Sequence, residues 1–208
     1  MLKPISKIYK NIFSYFRRDR KFILLALFMI TVFIFFCAVR SEADISQCLT
    51  VLETERPLYK SDFSFIFFEN LKTSLATVLL GTVPCFMGAA FQLYLVTDML
   101  ASAFRYFLAS VPSGTLIAGT LPHGIFEIPA ILLSFLLSVI ISKEITLCLL
   151  SALSKESFDN TDSFLFRQGF KETAIFVAES LVFVVIPFIF IGAFVESFVT
   201  GWIIEKII

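Results

Sequence analysis

Histidine and tryptophan each occur once in 208 residues, and the four cysteines stand far apart at positions 37, 48, 85 and 148. A cysteine zinc site or a disulfide framework needs pairs at short, regular spacing, so neither is readable. Cys37, Cys85 and Cys148 read instead as small membrane-buried apolar residues. Gly-rich phosphate loops, Walker sequences, HExxH and GxSxG are all missing. The chain is therefore not expected to be an enzyme, no metal or cofactor is expected, and nucleic acid is not expected as a partner. Charge is scarce as well. Asp, Glu, Lys and Arg make up 16% of the residues and balance to zero, but they are sorted along the chain.

What remains is apolar. Phe alone contributes 27 residues, apolar types reach 58%, and the mean hydropathy is +0.89. Such a chain could not cover itself with polar surface in water. The expected fold is all-α, a polytopic transmembrane bundle of about five spans in one domain, residues 22–208.

Ahead of it, residues 1–21 carry seven Lys/Arg against Asp19, with Ile5, Ile8, Tyr9, Ile12, Phe13 and Phe16 at helical spacing. This reads as a basic amphipathic helix on the cytoplasmic leaflet, with a partner-binding helix as the rival. Phe22 to Val39 has the length a ~30 Å hydrocarbon core requires, and reads as a retained anchor rather than a cleaved signal.

Further spans are expected at 71–90, 92–110, 122–141 and 173–203. Residues 63–68 would lie at the interface, 111–121 in a loop, and 143–173 in a mixed-charge loop with a surface helix. Pro122 would sit near a helix start, and Pro187 would kink the last span. Counting Lys and Arg puts eleven bases on one side and four on the other, which sets the N-terminus in the cytoplasm.

Ionisable groups inside a bilayer are expensive and point to function or to a partner. Asp98 and Arg105, two helical turns apart, read as a buried ion pair. In the run Leu121 to Pro129, His123 and Glu127 share one helical face. With the topology above, Glu69 and Asn70, His123, Glu127 and Glu196 meet in the outer half of the membrane, while Glu179 lies toward the inner half. Three readings compete: a helix-packing cluster, a metal site from His123, Glu127 and Glu196, or a proton or ion relay. The first is preferred, because buried polar contacts fix helix register and one histidine is thin for zinc. Protonated His123 would be the local partner of Glu127. Ser134, Ser138 and Ser142 form a strip of small residues suited to helix packing.

Three stretches carry a resemblance to a known family. They are Leu121-Pro122-His123-Gly124-Ile125-Phe126-Glu127-Ile128-Pro129-Ala130, the run from Ile186-Pro187 through Gly192 and Glu196 to Thr200, and Phe68-Glu69-Asn70 ahead of a Gly/Pro-broken helix. The chain resembles the stage II sporulation protein M family of membrane proteins. The resemblance places that family's polar positions on Asn70, His123, Gly124, Glu127, Pro129 and Glu196. It implies a non-catalytic scaffold in a bacterial or archaeal cell membrane, a hub for peptidoglycan remodelling as in sporulation engulfment. The implied partners are membrane lipids and membrane-anchored proteins, peptidoglycan hydrolases above all, docking through small residues such as Ser134 and Ser138. Homo-oligomerisation stays open. The alternative reading is a transporter or permease-like membrane subunit.

Overall fold

The computed structural model describes residues 5–40, 62–110, 113–153, 160–200 and 202–203. The regular structure among them is helical throughout. The elements are α1 (Ile5–Arg18), α2 (Arg20–Arg40), α3 (Phe63–Leu80), α4 (Met87–Ser110), α5 (Ser113–Leu153), α6 (Asn160–Ser180) and α7 (Ile186–Phe194). Two π-helical segments, Leu181–Val185 and Val195–Thr200, flank α7. Among the described residues, Phe63–Leu80, Gly119–Leu150 and Gly169–Thr200 are long and apolar enough to cross a membrane. Large apolar side chains such as Leu79, Ile125, Val182 and Phe198 stand exposed along these helices. Apolar side chains facing outward are what a lipid surround requires.

The break between α3 and α4, expected as the boundary of the second and third spans at 90–92, falls at residues 81–86. Local chemistry decides both ends of α3. Asp62 is extended and caps the start: its Oδ1 accepts from the Ser64 N–H at 3.1 Å and from the Ser64 hydroxyl at 2.8 Å. Residues 63–68 are therefore the first turns of a long helix instead of a separate interfacial piece. At the other end the Gly81 N–H reaches back to the Val78 carbonyl, and Pro84 brings no N–H to continue the ladder.

The turn that follows holds Cys85 and Phe86 in the left-handed region, at φ 58° and 61°. Each such non-glycine residue costs about 1–2 kcal/mol. Two hydroxyls of α5 offset that cost. Ser142 Oγ donates to the Val83 carbonyl at 2.9 Å and accepts from the Phe86 N–H at 2.8 Å. Thr146 Oγ1 accepts from the Cys85 N–H at 2.7 Å. Cys85 is thus a turn residue, exposed on the chain's own surface. Ser142 is fully buried, so Ser142→Ala leaves two backbone groups unpaired. It is expected to cost about 2 kcal/mol or more, read as a lower unfolding temperature in detergent; an unchanged midpoint would show that Ser142 does not hold the turn.

Helix directions follow from two pairs of contacts. Asn70 meets Glu127, and eleven residues further along both chains Gly81 meets Ser138. Helices α3 and α5 therefore run parallel. Gly192 lies against Glu127 while Thr200 lies against His123, so the α7 rod runs antiparallel to both. Parallel neighbours need a return path. Helix α4 supplies it with 24 residues, roughly 36 Å of helix. Ile30 of α2, Leu93 and Val96 of α4 and Phe135 of α5 pack as one apolar cluster, which seats α2 against that return.

Other expectations shift in the same sense. Residues 113–121, read as a loop, are the first turns of α5, so Pro122 and Pro129 both lie inside that helix. A helix in lipid persists through proline because no water is at hand to reward opening it. The mixed-charge stretch 143–173 is α5 as far as Leu153 and α6 from Asn160 onward. The strip Ser134, Ser138 and Ser142 is completely buried within the chain, so it cannot serve as a docking face for a partner.

Helix α1 packs on its own chain. Ile8, Ile12 and Tyr15 are buried, and Tyr15 stacks on Phe176 at 3.9 Å. Its hydroxyl lies 3.2 Å from Thr173 Oγ1, and burial pushes the phenol above its usual pKa. Arg18 reaches Glu172 at 3.3 Å. Pro187 offers no N–H to the Phe183 carbonyl four residues back, and Tyr9 donates its hydroxyl to that carbonyl at 3.0 Å. Ile5 and Phe13 stay exposed.

Candidate functional site

Three helical segments converge on Glu127. It stands on α5 one turn after His123, so both side chains leave the same face. Asn70 approaches from the second turn of α3, and its Nδ2 donates to Glu127 Oε1 at 2.8 Å. From the third direction comes Gly192, where a Cβ would fall 2.6 Å from Glu127 Cγ. Only a glycine lets the carboxylate stem lie this close to the helix backbone. The π-helical segment after α7 then brings in Glu196 and Thr200. His123 Nδ1 lies 3.5 Å from Thr200 Oγ1. One donor atom from each of His123, Glu127 and Glu196 falls within 4.8 Å of the others, and all three residues are half-buried.

The site therefore holds two carboxylates, an imidazole, a carboxamide and a hydroxyl in the wall of an apolar bundle. Two carboxylates at such separation repel strongly in low dielectric. They can share the place only with a bound proton or cation, or with donors that spread the charge. Asn70 is one such donor. The sequence reading paired Glu127 with His123; the structure instead gives Glu127 a bond from Asn70 and sets His123 beside Thr200.

The remaining expected positions are distributed as follows. Glu69 lies outside the cluster, exposed, with Lys72 at 3.8 Å. Helical geometry turns it about 100° away from Asn70. Gly124 is buried next to His123, but a Cβ there would make only ordinary contact with Ile128. Pro129 faces outward. Asp98 is half-buried on α4, while the Arg105 side chain, like Cys37 and Cys48, falls outside what is described. Glu179 is seventeen residues before Glu196, roughly 25 Å along a helix axis, and takes no place in the cluster.

Gly192 and Thr200 are the positions that reading residues alone did not single out. Both lie in the stretch that carries the family resemblance, and Thr200 follows Glu196 by four, a spacing that shares a face in an α-helix. Nothing in the sequence announced that the segment would be π-helical, although π turns recur at functional positions.

No curated protein and no solved structure matches the chain. A family model does: that of stage II sporulation protein M matches residues 24–201. The match takes in every helix that builds the cluster, and the chain belongs to the stage II sporulation protein M family.

Proposed function

We propose that this protein is a non-catalytic scaffold for cell-envelope remodelling. It would sit in the cell membrane as a multi-pass protein of about five spans with a cytoplasmic N-terminus. Its partners would be membrane-anchored proteins, peptidoglycan hydrolases first among them. The observation that carries the reading is the Asn70–Glu127 hydrogen bond. It spends the most conspicuous intramembrane acid on joining one helix to another, with Gly192 of a third helix pressed against the same side chain. Polar contacts of this kind fix the register of a bundle, which is what a docking platform needs. Family membership agrees with the reading. Since the serine strip is filled internally, partners would meet the exposed apolar faces beside the cluster, where Ile125 and Ile128 point outward.

A second reading, a transporter or permease-like subunit, draws on one feature. Glu127 and Glu196 lie beside a π-helical segment, and irregular helices in membranes often border ion paths. Gentle-detergent capture of the intact protein from native membranes, with mass spectrometry, separates the two. The scaffold reading expects peptidoglycan hydrolases to be recovered, and expects Glu127→Gln to recover them still, because a glutamine oxygen accepts from Asn70 as well. Recovery of an ATPase without hydrolases, with flux abolished by Glu127→Gln at unchanged abundance, would overturn it.

A further inference from the structure

We propose that His123, Glu127 and Glu196 bind one divalent transition-metal ion, of the zinc type. The inference stands whether or not the scaffold reading holds, since it rests on donor atoms and charge. The histidine distinguishes this group from an ordinary acidic patch. It supplies an imidazole nitrogen beside two carboxylate oxygens, with the three donor atoms within 4.8 Å of one another. Mixed nitrogen and oxygen donors suit zinc and its neighbours, whereas magnesium and calcium favour oxygen alone.

Two of the ligands are already steadied from outside. Asn70 holds Glu127 by Oε1 and leaves Oε2 for an ion. Thr200 sits at His123 Nδ1 and leaves Nε2. Metal-binding histidines and carboxylates depend on outer contacts of this sort for their orientation. Donors on a tetrahedral zinc ion stand about 3.3 Å apart, so the site must close by somewhat more than 1 Å. Glu196, half-buried like the other two, reaches the site from the π-helical segment, and a turn of its side-chain torsions would supply that closure. A dication against two carboxylates leaves no net charge, and the cost of charge in a membrane is thereby removed. Three protein ligands leave a fourth position for water or another ligand.

The test uses the full-length protein in detergent, stripped with a chelator, incubated with zinc and desalted. Elemental analysis should then find about one zinc per chain. Glu69→Gln, a carboxylate outside the cluster, should keep it. Glu196→Gln and His123→Asn should lose most of it, and Asn70→Ala should weaken retention about tenfold. Folding is followed separately by gel filtration. If the ligand variants do not fold, Cu2+ bound to the wild type decides: nitrogen splitting in its paramagnetic resonance supports the site, and an all-oxygen spectrum overturns it. Wild-type protein that retains no zinc, or a folded Glu196→Gln that retains as much as wild type, also overturns it.

Discussion

Gly81→Ala is expected to force α3 away from α5 and to be among the most destabilising single changes in the chain. An added Cβ would lie 2.5 Å from the Ser138 carbonyl oxygen and 2.7 Å from its Cα. Those are backbone atoms of a buried helix, so no side chain can rotate aside. Overpacking in a tight core costs about 1–3 kcal/mol, and a backbone clash belongs at the upper end, about 3 kcal/mol. The shift would also pull the 81–86 turn from its hydroxyl partners on α5. Gly169→Ala is the control. Nothing lies within 4 Å of that Cβ, and alanine should favour the helix by about 1 kcal/mol. Thermal unfolding in one detergent should separate the two variants clearly. Equal midpoints would mean that the Gly81–Ser138 contact is not present in the folded protein.

Asn70→Ala carries the second large effect. It removes the donor from Glu127 Oε1 and leaves the carboxylate half-buried and under-solvated. A polar group stranded this way costs about 1–3 kcal/mol, more when charged. A double-mutant cycle with Glu127→Ala isolates the pair. Hydrogen bonds between membrane helices average well under 1 kcal/mol in such cycles, with the best near 1.7. A carboxylate acceptor places this one toward the top, at about 1.5 kcal/mol. Additive single effects would show that the two helices are not joined here. Gly192→Ala should reproduce part of the loss from the other side, by driving Glu127 off Asn70.

Particular residues show where reading the chain stops. Asn70, Glu127 and Glu196 could be placed at one depth because spans alternate in direction and each residue's distance from a span end is legible. The same depth argument takes in Glu69, although one residue's rotation turns it outward to Lys72. Gly81, Pro84 and Gly88 all invite a turn, so the sequence alone does not fix where the helix breaks. The choice fell to contacts with Ser142 and Thr146, about sixty residues away in the chain. The serine strip is legible as a packing surface, but its occupant, the Gly81 backbone, is not.

The amino-acid sequence by itself determined the solvent. Long apolar runs leave backbone groups no partner but their own helix, so a lipid-embedded helical bundle follows from composition alone. It also determined which ionisable groups are out of place there, because charge in hydrocarbon is costly at any position. The tertiary structure decided how those groups are used. Hydrogen bonds and ligand geometry depend on distances of a few tenths of an ångström and on helix rotation. These are set by glycines that admit close approach, by a capping aspartate and by a π turn, whose effects appear only when the helices meet.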